Sequence, residues 1–291
     1  MEYIEAIKKA EDQGKAIGHF NIANLEMLKA ISHVAEKYDT QLIVGTSEGE
    51  RDFLGIHHSV DLIKSYNKEH RKENGYHLFL NADHTYSIDK IKEAAEVGYD
   101  SVIFDGGELD FEKNIEKTKE AVNAAKSINP NILVEGELGF IGKSSNIKDA
   151  IPKGVAIEED DLPTPKQAKE FVERTCVDML APAVGNLHGM FKNASNPSLN
   201  IKRIKDIREA AGVPLVLHGG SGVSEGDFRE AIKAGISIVH ISTEMRVAWR
   251  KAIEQALKDN KQELAPYRIT PAAVQTVQSV VEKRTKLFLG L

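Results

Sequence analysis

Three histidines follow three separate short apolar runs of the chain, and acidic side chains accompany them. His84 comes directly after Asp83, Glu137 follows another run, and His188 and His218 each lie beyond a later one. Three imidazoles that converge around an open coordination position are typical of catalytic zinc, whereas closed structural zinc sites favour thiolates. Iron, manganese or cobalt would accept the same ligand types. The pattern therefore predicts a divalent metal site.

A second set of residues has the composition of a phosphate site. Residues 219–222 read Gly-Gly-Ser-Gly between an apolar run and a helical stripe, and Ser242 and Thr243 open the next helical stripe. Bare backbone N–H groups at the start of a helix bind anions, because the helix dipole is positive there. A metal beside such a pocket suggests a phosphorylated small molecule whose carbonyl the metal polarises.

Eight short apolar runs precede these polar residues, and helical stripes separate them. Runs that are apolar on both faces are typical of parallel strands covered by helices. The runs cover residues 16–22, 41–45, 77–80, 101–104, 131–134, 178–181, 214–217 and 236–241.

Eight β-α units predict an α/β fold, a (β/α)8 TIM barrel, with a doubly wound open sheet as the alternative. The metal and phosphate residues then gather at the carboxyl ends of the strands, where barrels carry their active sites. A further helix is predicted at about residues 271–287. We expect residues 1–291 to form one barrel domain, with 260–291 as a C-terminal helical extension.

Composition excludes several classes of protein. The 291 residues are 41% hydrophobic and 28% charged, as in ordinary soluble globular proteins. The net charge of −6 gives no electrostatic help in binding nucleic acid or an anionic membrane, so neither is expected as a partner. The single cysteine, Cys176, excludes an intramolecular disulfide, and we expect it to be buried. No stretch has the length and apolarity of a signal peptide or membrane span, which predicts a cytoplasmic protein.

Four motifs occur in an order that resembles the class II, metal-dependent fructose-bisphosphate and tagatose-bisphosphate aldolases. They are Asp-His at Asp83, Glu-x-Glu-Leu-Gly from Glu135, Gly-Asn-x-His-Gly from Gly185 and His-Gly-Gly-Ser-Gly from His218. Phe-Asn at Asn21 and Ser-Glu-Gly at Ser47 are also similar to family segments. The resemblance covers about residues 16–244.

The resemblance implies a role for each matching residue. The zinc ligands would be His84, His188 and His218, with Glu137 beside the metal as a further ligand or catalytic group. Asp83 would exchange a proton with the aldehyde oxygen. The apolar face of the predicted C-terminal helix favours a homodimer or homotetramer, and a monovalent cation is a further candidate cofactor. Substrate and phosphate contacts would come from Asn21, Ser47, Gly189, Gly219, Gly220, Ser221, His240, Ser242 and Thr243.

The implied reaction is the reversible cleavage of a ketose 1,6-bisphosphate, foremost fructose 1,6-bisphosphate, into dihydroxyacetone phosphate and glyceraldehyde 3-phosphate through a zinc-stabilised enediolate. The alternatives are tagatose bisphosphate, another metal-dependent phosphosugar lyase, or a non-catalytic phosphosugar-binding barrel. A Schiff-base aldolase would need a lysine inside the rim, and none of the predicted strand ends carries one.

Three positions depart from the family pattern. The family's His-x-Asp-His begins with Asn81 here, and His240 stands where the family has an asparagine. Ser145 stands where the family has the acidic loop residue that takes the proton from dihydroxyacetone phosphate. The long loop at 139–163 is therefore predicted to close over the metal and supply another base, with Asp149 and the acidic run 158–161 as candidates. Glu137 is a further candidate, and Glu135 a weaker one because it would lie deeper in the barrel.

Overall fold

The computed structural model describes residues 2–70, 75–143, 145–150, 155, 158–192 and 196–291. Eight parallel strands close into a barrel, which confirms the predicted TIM-barrel class and rules out the open sheet. The barrel strands, in chain order, are β1 (Ile17–Asn21), β2 (Gln41–Thr46), β3 (His77–Thr85), β4 (Ser101–Phe104), β5 (Leu133–Leu138), β7 (Met179–Pro182), β9 (Leu215–Leu217) and β10 (Ile236–Ile241).

Two short strands outside the barrel pair with each other: β6 (Ile147–Lys148) and β8 (Met190–Phe191). The helices are α1 (Tyr3–Asp12), α2 (Leu25–Lys37), α3 (Glu48–Leu54), α4 (Ile56–Glu69), α5 (Ile88–Val97), α6 (Phe111–Ile128), α7 (Pro165–Thr175), α8 (Ile201–Ala211), α9 (Glu225–Lys233), α10 (Thr243–Asp259), α11 (Pro266–Ile269) and α12 (Pro271–Leu289).

The chain ends complete the barrel wall and floor. Helix α12, predicted as an extension, packs against both α2 and α10 and so fills a place in the outer helical ring. Helix α1 lies below the barrel, where Tyr3 stacks on Phe79 with ring centroids 4.4 Å apart. The apolar floor leaves the opposite, carboxyl end of the strands as the open face. Among the described helices, none combines the length and apolarity needed to cross a membrane.

Three local predictions are wrong in detail. The third strand runs to Thr85, five residues beyond its predicted end, because the polar residues at this end are buried and hydrogen-bonded to other strands. The fifth strand begins at Leu133 and runs to Leu138, four residues beyond its predicted end, because Glu135 is held in the barrel interior by His218 and Glu137 lies in the metal cluster. Cys176 is exposed rather than buried. It ends α7 in the left-handed conformation, with φ of 60°, which turns its side chain away from the core.

Candidate active site

The end of strand β3 presents two consecutive polar side chains to the barrel mouth. The pairing of β3 with β4 shifts register between Ala82 and Thr85, so a bulge interrupts the alternation of inward and outward side chains. His84, inside this bulge, has φ of 41°, a region that non-glycine residues rarely adopt. The strained backbone aims both Asp83 and His84 at the site, and such strain is characteristic of functional positions.

Four side chains from four strand ends meet in one cluster. The potential ligand atoms of His84, Glu137, His188 and His218 all lie within 4.8 Å of one another. The ring of His84 meets those of His188 and His218 edge-on, with centroids 4.7 and 4.8 Å apart. Ligand atoms this close to one another can surround a single ion. The cluster unites every metal ligand predicted from the sequence.

Two carboxylates behind the cluster fix the histidine tautomers. His84 Nδ1 lies 2.8 Å from Asp105 Oδ2, and His218 Nε2 lies 2.7 Å from Glu135 Oε1. A carboxylate accepts hydrogen bonds, so each of these nitrogens donates. The other nitrogen of each ring then directs its lone pair into the cluster. Carboxylate–histidine pairs of this kind orient metal ligands and raise their basicity.

Two observations show that the cluster fits a cation. His84 Nε2 and His218 Nδ1 lie 3.2 Å apart, close to the separation of about 3.3 Å expected for two nitrogens of a tetrahedral zinc site. Two lone pairs at this distance repel each other unless a proton or a metal ion lies between them. Within the described part of the chain, the buried Oε2 of Glu137 has no hydrogen-bond partner. A divalent ion would satisfy these atoms together.

Asp83 lies beside the cluster, with its two oxygens in different surroundings. Oδ2 accepts a hydrogen bond of 2.8 Å from Asn21 Nδ2, which also donates to Glu50. Oδ1 is buried and has no hydrogen-bond partner among the described residues. Burial raises the pKa of Asp83, but the charge of His84 and the polar contact with His240 outweigh it and hold that pKa well below its usual range. Asp83 is therefore an ionised carboxylate with one fixed oxygen and one free oxygen.

The glycine-serine segment and the start of α10 form the wall opposite Asp83. Ser221 Oγ accepts hydrogen bonds from the backbone N–H groups of Ser242 and Glu244, at 3.3 and 3.2 Å. The buried hydroxyl of Ser242 has no partner in the described structure. A Cβ at Gly219 would lie 2.3 Å from the carbonyl oxygen of Leu187, so only glycine fits there. An unpartnered hydroxyl at a helix start is suited to an anion. Gly219, Ser221, Ser242 and Thr243 are therefore called the anion pocket below.

One small cavity of about 20 Å³ joins these parts. Its lining comprises Asn21, Asp83, His84, Ser145, His188, Gly189, Gly219, Ser221, His240, Ser242 and Thr243. Gly220, also predicted to hold phosphate, is not in this lining, because its N–H donates to the carbonyl of His240. A neighbouring pocket of about 260 Å³, called the outer pocket below, shares Asp83 and His84 and extends past Ser47 towards solvent.

Comparison with known proteins decides the family. The family described as Fructose-bisphosphate aldolase class-II matches residues 1–290. The chain belongs to this family. It is therefore a class II aldolase, a carbon–carbon lyase.

Individual relatives agree with this class II assignment. The fructose-bisphosphate aldolase of Staphylococcus aureus (strain Mu50) is 32% identical over 285 residues, which are 98% of this chain and 95% of the relative. The crystal structure of the YdjI aldolase from Escherichia coli K12 matches at 31% identity with a TM-score of 0.79, over 98% of this chain and 95% of that one. The fructose-bisphosphate aldolase of Campylobacter jejuni, 18% identical with a TM-score of 0.80 over 98% of this chain and 93% of that one, supports the fold alone.

Several side chains at this class II aldolase site were not predicted from the sequence. Asp105 and Glu135 orient the histidines; Asp105 lies in none of the four motifs, and Glu135 begins one of them but is predicted only as a weak candidate base. Arg246 lines the outer pocket, where its Nη2 donates to Glu50 Oε1 at 2.6 Å. Lys143 lines the same pocket and pairs with Glu108 at 2.5 Å. The position of Arg246 on α10 and that of Lys143 in a loop give no sign in the sequence that either side chain faces a site.

The long loop is partly ordered by pairing rather than structureless. Its strand β6 pairs with β8, just after His188. Among the predicted bases, Asp149 and residues 158–161 are exposed and line neither pocket, and Glu159 forms an ion pair with Arg203. Glu137 lies within the metal cluster. Residues 144, 151–154 and 156–157 of the loop lie outside the described residues.

Metal binding to the cluster should release protons. Burial alone lowers the pKa of His84, but Asp83 and Asp105 outweigh it and raise that pKa to about 10. Burial, reinforced by Asp105, holds the pKa of Glu137 well above its usual value, whereas burial and the neighbouring histidines hold that of His188 well below. Below pH 10, a metal ion must therefore displace the proton on His84.

We expect the apparent metal affinity to fall by at least about tenfold for each unit that pH drops below 8, because at least one proton competes with the ion. Competition with a chromophoric chelator at pH 6, 7 and 8 measures this dependence. Asp105→Asn, which removes a carboxylate that holds the proton on His84, should flatten it. An affinity that is constant over this range would contradict the assigned protonation.

Proposed function

We propose that this chain is a divalent-metal-dependent aldolase that reversibly cleaves fructose 1,6-bisphosphate into dihydroxyacetone phosphate and glyceraldehyde 3-phosphate. One observation carries the proposal: a single cavity is lined by histidines of the metal cluster, by the serines of the anion pocket and by Asp83. A substrate whose phosphate occupies the anion pocket would place its nearby ketone beside the metal cluster. Metal-dependent cleavage of a ketose phosphate needs this proximity.

The residues proposed to hold the metal are His84, His188, His218 and Glu137. When bound there, a divalent ion supplies Lewis-acid polarisation of the ketone and stabilises the negative charge that develops on its oxygen. We propose zinc as the native ion, since the cluster offers imidazoles and a carboxylate without thiolates. The burial of the cluster strengthens every electrostatic interaction in it.

The chain's own residues hold the substrate and move a proton. Ser221, Ser242, Thr243 and the bare backbone at Gly219 would bind the phosphate of dihydroxyacetone phosphate. In the cleavage direction, Asp83 Oδ1 takes the proton of the hydroxyl that becomes the aldehyde. In the condensation direction, the same oxygen returns the proton to the new alkoxide. Asn21 keeps Asp83 in place through Oδ2 and leaves Oδ1 free for this exchange.

The outer pocket would receive the aldehyde half of the substrate. Asn21, Ser47 and Arg246 line it together, because all three donate hydrogen bonds to Glu50, and Arg246 is a partly exposed cation. A guanidinium in this position can bind the second phosphate, because Arg presents several donors to phosphate oxygens. The expected homodimer or homotetramer remains part of the proposal, supported by the exposed apolar side chains of Leu264 and Tyr267.

Cleavage assays on three substrates test the proposed function. The metal-loaded protein should cleave fructose 1,6-bisphosphate faster than tagatose 1,6-bisphosphate, and fructose 1-phosphate should show a raised KM because it lacks the second phosphate. A chelator should abolish all three activities, and added zinc should restore them. Cleavage that survives the chelator and is trapped by borohydride would instead indicate a Schiff-base enzyme. Binding of the bisphosphates without cleavage would indicate a phosphosugar-binding barrel.

A further inference from the structure

We propose that His19 is a positioning residue, held by Asn81, that fixes the ring of His240 against Asp83. The three residues would act as one unit that sets the geometry of the proton-exchanging carboxylate. The inference rests on the proposed function, because Asp83 is assigned its role there. None of the family motifs includes His19.

Two departures from the family pattern are reciprocal and meet at His19. The family has a histidine at the position of Asn81 and an asparagine at the position of His240, so the two residue types have changed places. In the barrel, Asn81 Nδ2 lies 3.1 Å from His19 Nε2. The ring of His240 stacks on the face of the same His19 ring, with centroids 3.4 Å apart and an interplanar angle of 1°. The two exchanges are therefore connected through one side chain.

A glycine on β2, Gly45, leaves room for the contact between His19 and Asn81. His19 lies on β1 in direct register with His240 on β10, whereas Asn81 lies on β3, with β2 in between. The imidazole of His19 crosses β2 over Gly45, where a Cβ would lie 2.0 Å from His19 Cε1. Any other residue at position 45 would displace the ring. The absence of a side chain there lets β1 reach β3.

Hydrogen-bond directions determine the state of His19. Ser101 Oγ donates to Asn81 Oδ1 at 2.8 Å, which fixes the amide orientation and leaves Asn81 Nδ2 facing His19. An amide nitrogen only donates, so His19 Nε2 must accept. His19 is then neutral, with its proton on Nδ1. The unit presents an uncharged ring face to His240.

His240 is held on both sides. Its ring stacks on His19 and, with centroids 4.0 Å apart and an angle of 27°, on His218. These contacts leave its Nδ1 3.5 Å from Asp83 Oδ1, the oxygen that has no hydrogen bond from any described residue. Without His19, the ring of His240 could turn away from Asp83. His19 therefore controls the surroundings of the oxygen assigned to proton exchange.

A second metal ion is the competing explanation for this cluster. Ligand atoms of His19, Asp83 and His240 lie within 4.8 Å of one another. A metal binds an imidazole in the plane of the ring, and two parallel rings stacked 3.4 Å apart have no common in-plane point. The stacked arrangement therefore favours positioning over metal binding, and counting the bound ions separates the two.

A double-mutant cycle of His19→Ala and His240→Asn tests the inference. In the wild-type background, His19→Ala should lower kcat by about 10²-fold, the cost of misplacing a group by about 1 Å, with KM and metal content unchanged. In the His240→Asn background, the same replacement should change kcat by less than about twofold, because its effect passes through His240. Equal losses in both backgrounds would overturn the proposal, since a merely structural role does not depend on His240.

A second variant and a control protect this test against misfolding. Gly45→Ala keeps His19 but displaces its ring, so it should reproduce the loss in kcat and the dependence on His240. His77→Ala removes a partly buried histidine at the opposite end of β3 and should leave kcat unchanged. If Gly45→Ala folds and retains full kcat, the proposal is wrong.

Two readouts do not need turnover. Nitrogen-15 spectra of the histidines should show His19 as the neutral Nδ1–H tautomer, and should show a change in the His240 signals in His19→Ala. Spectra without these features would contradict the inference even if aldol cleavage is established. Spectra that show them would support it even if the substrate is another one. Metal analysis should give one ion per chain in the wild-type protein and in His19→Ala. Two ions in the wild type and one in His19→Ala would replace positioning by a second metal site.

Discussion

Replacing His218 with alanine should remove the bound metal and lower kcat/KM for bisphosphate cleavage by at least about a thousandfold, because several kcal/mol of transition-state stabilisation depend on the ion. His218 contributes a lone pair directed at His84 Nε2, 3.2 Å away, and its other ring nitrogen is held by Glu135. Metal analysis, circular dichroism and cleavage kinetics measure the effect.

A milder variant separates metal binding from folding. Glu135→Gln keeps the hydrogen-bonding shape behind His218 but removes the charge, so metal affinity should fall by about 10–100-fold, as for other outer partners of metal-bound histidines. Excess zinc should then restore turnover in Glu135→Gln but not in His218→Ala. Full metal occupancy in a folded His218→Ala protein would sink the metal assignment.

Asp83→Asn should keep the metal and lose about 10² to 10⁴-fold in turnover, the range for removing a positioned proton-transfer group. The asparagine side chain can still accept the hydrogen bond from Asn21, so the cavity should keep its shape. However, an amide cannot take a proton and return it at the position of Oδ1. Steady-state kinetics of cleavage, with metal content measured on the same samples, give the result.

The matched comparison is Asp105→Asn. Asp105 contacts His84 Nδ1 rather than the cavity of the substrate, so its replacement should weaken metal binding and leave turnover per bound metal nearly unchanged. The two carboxylates lie on either side of His84. Replacing Asp83 should lower turnover without loss of metal, whereas replacing Asp105 should lower metal affinity without loss of turnover per bound metal. Near-normal turnover in Asp83→Asn would show that Asp83 only supports its neighbour.

The fold and most of the site could be predicted because strand ends carry the chemistry of a barrel. The apolar runs marked all eight barrel strands, and the polar residues that follow them form the cluster and the anion pocket. The predicted ends of β3 and β5 are wrong because buried polar residues, such as Asp83 in β3 and Glu135 in β5, interrupt an apolar run. Their place in the barrel is explained by contacts with other strands, since Glu135 contacts His218 and Glu137 lies among the histidines of the metal cluster.

The supporting residues could not be predicted for a related reason. Asp105 and Glu135 matter because of the histidine nitrogens that they contact, and those contacts join different strands of the barrel. The proposed role of His19 depends on Gly45, which its ring crosses, and on Asn81, which its Nε2 contacts beyond that glycine. A sequence shows the type and order of such residues, whereas their function depends on neighbours that only barrel closure creates.

Hydrogen exchange at dihydroxyacetone phosphate tests the central claim most directly. The metal-loaded protein, incubated in deuterated water with dihydroxyacetone phosphate and no aldehyde, should exchange one hydrogen at the carbon that forms the new bond, as followed by proton NMR. A chelator should stop the exchange, zinc should restore it, and Asp83→Asn should retain it because Asp83 acts on the aldehyde half. Absence of exchange in the wild-type protein with its metal bound would contradict the assignment of an aldolase mechanism to this site.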